Sequence, residues 1–112
     1  MSKSDRSRVF SVAATQAKIP PAEHAVCAFR RGPLDVALSL PVRPRQQTPH
    51  AQDEIYFIIR GRGLLIHDGK RDPFEPGDLV FVAAGIEHQF EDISDDFAVW
   101  RVFYGPEGGE VP

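Results

Sequence analysis

The stretch TPHAQDEIYFIIRGRG, from Thr48 to Gly63, places a histidine and a glutamate directly before a short apolar run that ends in glycines. Side chains alternate between two faces along a β-strand, so this run predicts a strand over Glu54–Arg60. Tyr56 and Ile58 then share the face of Glu54, and the other face takes Ile55, Phe57 and Ile59. The glycines permit a sharp turn into the next strand. The carboxylate therefore starts a face that is expected to be buried, and His50 comes four residues earlier.

Six further segments have the same character: each is short, rich in Val, Ile, Leu and Phe, and bounded by turn residues. They are His24–Arg30, Leu34–Leu40, Gly63–His67, Leu79–Ala83, His88–Glu91 and Phe97–Tyr104. The sequence HDGK predicts a tight hairpin, because Asp68 and Gly69 tolerate positive φ angles. A helical pattern occurs only over residues 10–18, before Pro20 and Pro21. We predict an all-β fold, an antiparallel sandwich or barrel with a short N-terminal helix.

The composition is that of a single globular domain of 112 residues, 42% hydrophobic and 26% charged. A net charge of -3 gives no electrostatic reason to expect a nucleic acid or a membrane as partner. No apolar run approaches about 18 residues and no signal-peptide pattern is present, so we expect a cytoplasmic protein. The single cysteine, Cys27, excludes an intramolecular disulfide framework and is expected to be a buried, inert thiol.

Three residues at predicted strand beginnings carry the candidate chemistry: His50, Glu54 and His88. The spacing of the first two is weak evidence alone, and a lone histidine such as His88 is often a core or rim residue. In a closing barrel, however, residues at strand beginnings can converge. Two neutral imidazoles and one carboxylate suit divalent Fe, Mn, Ni or Zn, whereas Ca and Mg prefer oxygen ligands. Such a set leaves coordination positions open for a substrate, water or dioxygen.

These residues fall within two motifs through which the chain resembles a small single-domain cupin. The first motif has the form G-x5-H-x-H-x3-E-x6-G and the second G-x5-P-x-G-x2-H-x3-N. Thr48, His50, Glu54 and Gly61 fall on the H, H, E and G of the first, and Gly77, Ala83, Gly85, His88 and Asp92 on the G, P, G, H and N of the second. The resemblance spans residues 34–104. It implies a jelly-roll barrel of about eight strands, with His50, Glu54 and His88 as metal ligands.

The chain departs from that pattern where the family has its first histidine, because Thr48 stands there. Thr48 is a poor neutral ligand, whereas Gln47 has a longer arm with an amide oxygen, and the kink at Pro49 would let it turn inward. Alternatively, Gln47 is a rim residue and water fills the position, or the site no longer holds a metal. Val42, Ala83 and Asp92 are the other departures, at the opening glycine, the proline and the final asparagine.

Four other residues are interpreted with alternatives. Tyr56 and Phe90 line the pocket or simply fill the core, and Arg101 is either a pocket cation for an anionic ligand or an ion-pair partner. Asp53 orients the histidine side of the site or caps its loop. The final strand, Phe97–Tyr104, is apolar on both faces, which predicts a homodimer.

Three classes of function are consistent with this reading. The first is a metal-dependent enzyme acting on a small, partly apolar organic molecule by oxygenase, isomerase or lyase chemistry, among which the fold does not choose. The second is a non-catalytic binding or sensing module that uses the same pocket, and a remnant without metal is a third possibility. We predict three segments: a tail and helix over 1–22, the barrel over 23–106 and a C-terminal tail over 107–112.

Overall fold

The structure is a computed structural model that describes residues 8–42, 46–47 and 50–111, with only the backbone of 46–47. These residues form one short helix and nine strands. The elements are α1 (Val12–Gln16), β1 (Ala25–Arg31), β2 (Leu34–Ser39), β3 (Gln46–Gln47), β4 (Asp53–Arg60), β5 (Gly63–His67), β6 (Lys70–Phe74), β7 (Leu79–Val82), β8 (His88–Glu91) and β9 (Ala98–Tyr104).

The strands form two antiparallel sheets, with the orders β1-β2-β9-β4-β7 and β3-β8-β5-β6. Within the described ranges no strand of one sheet is hydrogen-bonded to a strand of the other. The prediction of an all-β jelly-roll with a short N-terminal helix is therefore confirmed, in the form of two facing sheets that do not close into one hydrogen-bonded barrel. The division into three segments stays a prediction.

The core lies between the two sheets and is built by the strand alternation that the sequence shows. On β4, Glu54, Tyr56 and Ile58 are 1%, 2% and 3% exposed, whereas Phe57 on the opposite face is 43% exposed. The Phe90 ring packs edge-on against Tyr56 at 4.9 Å and lies 5.0 Å from Phe97. Such aromatic pairs add about 0.5–1.5 kcal/mol each beyond their buried area. These aromatic side chains thus form an apolar core directly below Glu54 in the space between the sheets.

Strand β6 was not predicted, although the hairpin that leads into it was. Asp68 and Gly69 have φ angles of 49° and 80°, as the HDGK turn requires. The strand itself reads KRDPF, with three charges and a proline, which is not a typical strand composition. It is tolerated because β6 is an edge strand, where Pro73 need not donate to a neighbour. The two-residue strand β3 was also not predicted.

The expectation that Cys27 is buried is wrong, because its side chain is exposed. Cys27 lies on β1, an edge strand of the wider sheet whose one described strand neighbour is β2. The helix is also shorter than the predicted 10–18 region: it begins after Ser11, whose Oγ accepts a hydrogen bond from the N–H of Ala14 at 3.1 Å. None of the described helical residues forms a segment long and apolar enough to cross a membrane.

Candidate metal centre

The fold brings His50, Glu54 and His88 together at one end of the sandwich. His50 lies in the loop before β4, Glu54 is the second residue of β4, and His88 is the first residue of β8. One ligand atom from each residue lies within 4.8 Å of the others. Oε1 of Glu54 lies 3.1 Å from Nε2 of His88 and 3.9 Å from Nε2 of His50. The cluster therefore joins a carboxylate from one sheet to an imidazole from the other.

The carboxylate of Glu54 is the unusual member of the cluster. It is 1% exposed, and while the ring of His88 is neutral neither of its oxygens has a hydrogen-bond partner among the described residues. A protonated His88 would donate to Oε1 across 3.1 Å. The neighbours of Glu54 in register on either side are Val82 and Phe103, both of which are apolar. An unpartnered buried acceptor costs about 1–3 kcal/mol, and more when it is charged. A divalent cation beside Glu54 would satisfy these oxygens, so the donor set fits a metal.

The ring of His88 is oriented by a second contact. Its Nδ1 lies 3.1 Å from the carbonyl oxygen of Ile86. A carbonyl only accepts, so the proton of the neutral ring lies on Nδ1 and the lone pair of Nε2 faces Glu54 and Tyr56. The hydroxyl of Tyr56 lies 3.1 Å from that same Nε2 and can donate to it. Metal-binding histidines in proteins are commonly held by a carbonyl in this way.

The environment changes the pKa values of the two histidines in opposite directions. Burial lowers the pKa of His50 by more than the nearby charge of Glu54 raises it. Burial also disfavours the charged form of His88, but hydrogen bonding to Glu54 and to the Ile86 carbonyl outweighs it and raises the pKa of His88. Burial, and next the carboxylate of Glu54, raise the pKa of Tyr56 far above its ordinary value, so its hydroxyl stays protonated.

Asp53 ties together the backbone segments around the cluster. Its carboxylate accepts hydrogen bonds from the N–H groups of Ala84 at 2.9 Å and Glu110 at 3.0 Å. These two bonds lower the pKa of Asp53. Nearby, the N–H of Gly85 donates to the carbonyl of His50 at 2.8 Å. Of the two roles considered for Asp53, the contacts are those of a loop cap, and they hold the segment that carries His50.

The other residues singled out from the sequence lie around this cluster. Tyr56 borders it through the contact with His88, whereas Phe90 lies behind Tyr56 in the core. Arg101 lies on the inner face in register with Tyr56, and its Nη2 is 3.4 Å from Oδ1 of Asp35. The role of Asp35 was missed, because no local pattern connects β2 to β9 before the sheet order is known.

Two predicted residues are not described at the side-chain level. Thr48 lies outside the described residues. The backbone of Gln47 pairs with that of His88 across β3 and β8, but its side chain lies outside the described part of the chain. A fourth ligand from Gln47 or Thr48 therefore stays a prediction.

A separate cleft of about 300 Å³ lies between β6 and β7, the edge strands of the two sheets. Its walls include Asp72, Phe74, Asp78 and Val80. None of the three clustered residues lines it, so this cleft is distinct from the candidate metal centre.

Two facing antiparallel sheets with a His–Glu–His cluster at one end define a jelly-roll protein of the cupin class. The cupin domain family matches residues 41–104, more than half of the chain, so the chain belongs to that family. An uncharacterized protein of Streptomyces coelicolor is 43% identical over 61 residues, which cover 54% of this chain and 58% of that protein. The acireductone dioxygenase of Bacillus cytotoxicus is 34% identical over 74 residues, which cover 61% of this chain and 43% of that enzyme. The chain spans about half the length of these curated relatives.

A solved structure gives the same fold. The crystal structure of a cupin-2 domain protein from Shewanella frigidimarina aligns with a TM-score of 0.71 over 84% of this chain and 92% of that chain. The two sequences are 12% identical, so this likeness shows the fold alone.

Proposed function

We propose that this chain binds one divalent transition metal, Fe, Mn, Ni or Zn, through His50, Glu54 and His88, and acts on a small organic molecule there. The observation that carries the proposal is the buried carboxylate of Glu54, which has no described hydrogen-bond partner and faces two imidazoles. Such a metal would act as a Lewis acid with open positions for a small ligand. The lowered pKa of His50 favours the neutral imidazole that binding requires.

The chain's own residues would prepare that site. The Ile86 carbonyl fixes the ring of His88, and the Asp53 cap fixes the loop of His50. Tyr56 would present a protonated hydroxyl beside the bound ligand, as a hydrogen-bond donor. The walls are partly apolar, since Phe103 and Val82 flank Glu54 in register. A small, partly apolar molecule suits this surface.

The test is metal content measured by plasma mass spectrometry on protein purified without a histidine tag. We expect about one metal per chain in the wild type, and affinity lowered more than about 100-fold in His88→Ala, since even outer partners of a ligand contribute 10–100-fold. The matched control is His24→Ala, which removes an exposed histidine outside the cluster. A His88→Ala protein that keeps full metal content would refute the assignment.

Turnover then separates an enzyme from a non-catalytic binding module. The similarity to acireductone dioxygenase favours oxygenase chemistry over isomerase or lyase chemistry as the first reaction to test. Oxygen uptake by the iron-loaded protein with an acireductone would support an enzyme. Tight binding of small molecules without any turnover would support the binding module instead.

We also propose a homodimer formed through the outer face of the five-stranded sheet. Phe57, Leu79 and Phe81 are 43%, 57% and 50% exposed, and their strands pair so that all three share this face. Contiguous exposed apolar surface of this kind is typical of interaction sites. Light scattering should give a dimer mass for the wild type and for Val9→Arg, an exposed control, but a monomer mass for Phe57→Arg. A monomeric wild type at micromolar concentration would contradict the proposal.

A further inference from the structure

Arg101 lies on the same inner face as the candidate metal centre. On the paired strands β4 and β9, Arg101 is opposite Tyr56, and the adjacent inward pair is Glu54 opposite Phe103. The guanidinium carbon lies 4.5 Å from the centre of the Phe103 ring, and that ring lies 4.6 Å from the ring of His50. A cation is thus stacked on the aromatic side chain that flanks the cluster.

Most of the hydrogen-bonding capacity of Arg101 is unused. A guanidinium has five N–H donors. The long 3.4 Å contact to Asp35 uses one nitrogen, and Nε is buried with no hydrogen-bond partner within the described residues. Leaving a charged donor buried and unpaired is unfavourable. The side chain is still 29% exposed, so a ligand can reach it from solvent.

The charges around Arg101 do not cancel. Asp35 also accepts a 2.8 Å hydrogen bond from Arg30, so two guanidinium groups share one carboxylate. One positive charge is left over. A divalent metal held by Glu54 and two neutral imidazoles would add a second net positive charge. Positive charge concentrated beside the candidate metal centre favours an anionic ligand.

We propose that the small molecule bound at this site is a carboxylate with a further oxygen donor, and that Arg101 is its specificity-determining residue. This inference rests on the proposed metal site. The planar fork of the guanidinium matches the two oxygens of a carboxylate. The further oxygen of the same molecule then takes an open position on the metal.

The experiment titrates the cobalt-loaded protein with 2-oxobutanoate and follows the visible absorption of the metal. We expect Arg101→Gln to keep its cobalt but to bind 2-oxobutanoate about tenfold more weakly or worse, the effect of losing a charge-assisted hydrogen bond. The uncharged methyl ester should bind both proteins equally and weakly. Arg71→Gln, which removes an exposed arginine paired with Glu91 at 3.7 Å, is the matched control and should behave as wild type.

Two further variants make the result specific. Arg101→Lys keeps the charge but loses the fork, so it should bind 2-oxobutanoate more weakly than wild type, and it also serves if Arg101→Gln does not fold. Asp35→Asn should bind 2-oxobutanoate at least as tightly as wild type, because it removes the competing carboxylate.

Equal affinity of wild type and Arg101→Gln for 2-oxobutanoate would overturn the inference and leave the metal site intact. A wild type that binds no cobalt would instead refute the proposed function. In that case, 2-oxobutanoate is titrated into the metal-free protein by NMR, and shifts that do not depend on Arg101 would overturn the inference as well.

Discussion

Replacing Glu54 with glutamine should stabilise the metal-free protein while removing its response to metal. The carboxylate is 1% exposed, and both oxygens are without a described hydrogen-bond partner. Glutamine has nearly the same shape, carries no charge, and can donate to or accept from the hydroxyl of Tyr56 and the ring of His88. An unsatisfied buried group costs about 1–3 kcal/mol, so we expect the variant to gain about 1–2 kcal/mol in free energy of unfolding. Each kcal/mol of added stability corresponds to a rise of roughly 4–8 °C in Tm.

The gain should depend on pH in a definite direction. Because the pKa of His88 is raised above 6.5, its pairing with Glu54 stabilises the wild type fully below 6.5 and is lost as pH rises through the raised value. The variant has no carboxylate to pair with the imidazolium. The advantage of Glu54→Gln should therefore be largest at about pH 9 and smaller at about pH 5.

Urea unfolding in the presence of a chelator measures this difference, with Glu87→Gln as an exposed control that should change stability by less than about 0.5 kcal/mol. Addition of zinc at 100 times its dissociation constant should stabilise the wild type by about 2.7 kcal/mol and the variant much less. A metal-free Glu54→Gln protein that is less stable than wild type at high pH would refute the reasoning, because Glu54 would then contribute favourable interactions to the fold.

Three other substitutions or conditions test separate features. Gly61→Ala should destabilise the fold by at least about 2 kcal/mol, because φ is +85° and an added Cβ would lie 2.6 Å from the Cα of Phe97. Gly69→Ala, at φ +80° with nothing within 4 Å, should show only the smaller conformational cost in the same thermal melts. Asp53→Asn should lower Tm at neutral pH, and the difference in Tm from wild type should shrink below about pH 4. The reason is that the pKa of Asp53 is lowered in the folded protein, so the stabilisation by its carboxylate is lost as pH falls through that lowered pKa. A difference in Tm that does not depend on pH would argue against the capping role. Cobalt affinity should decrease as the pH is lowered, and the decrease should begin above pH 6.5, because the pKa of His88 is raised and protons compete with the metal for its ring. An affinity that stays constant as the pH is lowered through this range would exclude His88 as a ligand.

The strands were predictable from short apolar runs bounded by turn residues. In the run after Glu54, which is apolar throughout, the inward face was predictable only because strand side chains alternate and Glu54 was placed inward. Strand β6 was not predictable, since its charged composition is permitted only by its position at a sheet edge. Cys27 was predicted wrongly for the related reason that an apolar local pattern does not show that its strand lies at a sheet edge.

The candidate site was predictable in part. The motif spacing indicated His50, Glu54 and His88, but not the contacts that orient them, because Ile86, Asp53 and Tyr56 act through distances that depend on the three-dimensional fold. Asp35 is the extreme case: it lies 66 positions before Arg101 in the chain and meets it only because β2 pairs with β9.

The placement of Glu54 and His88 on different sheets has a mechanical consequence. Side-chain packing holds the two sheets against each other, since no described strand pairing crosses between them. An ion bound by both residues would cross-link the two sheets and close a loop of chain, much as a disulfide does. With the ion bound, separation of the sheets at that end requires breaking a coordination bond. Without the ion, separation of the sheets at that end is resisted by the contact between Tyr56 and His88 and by the aromatic core behind it. Loss of the ion would therefore loosen that end of the sandwich before it unfolds the protein.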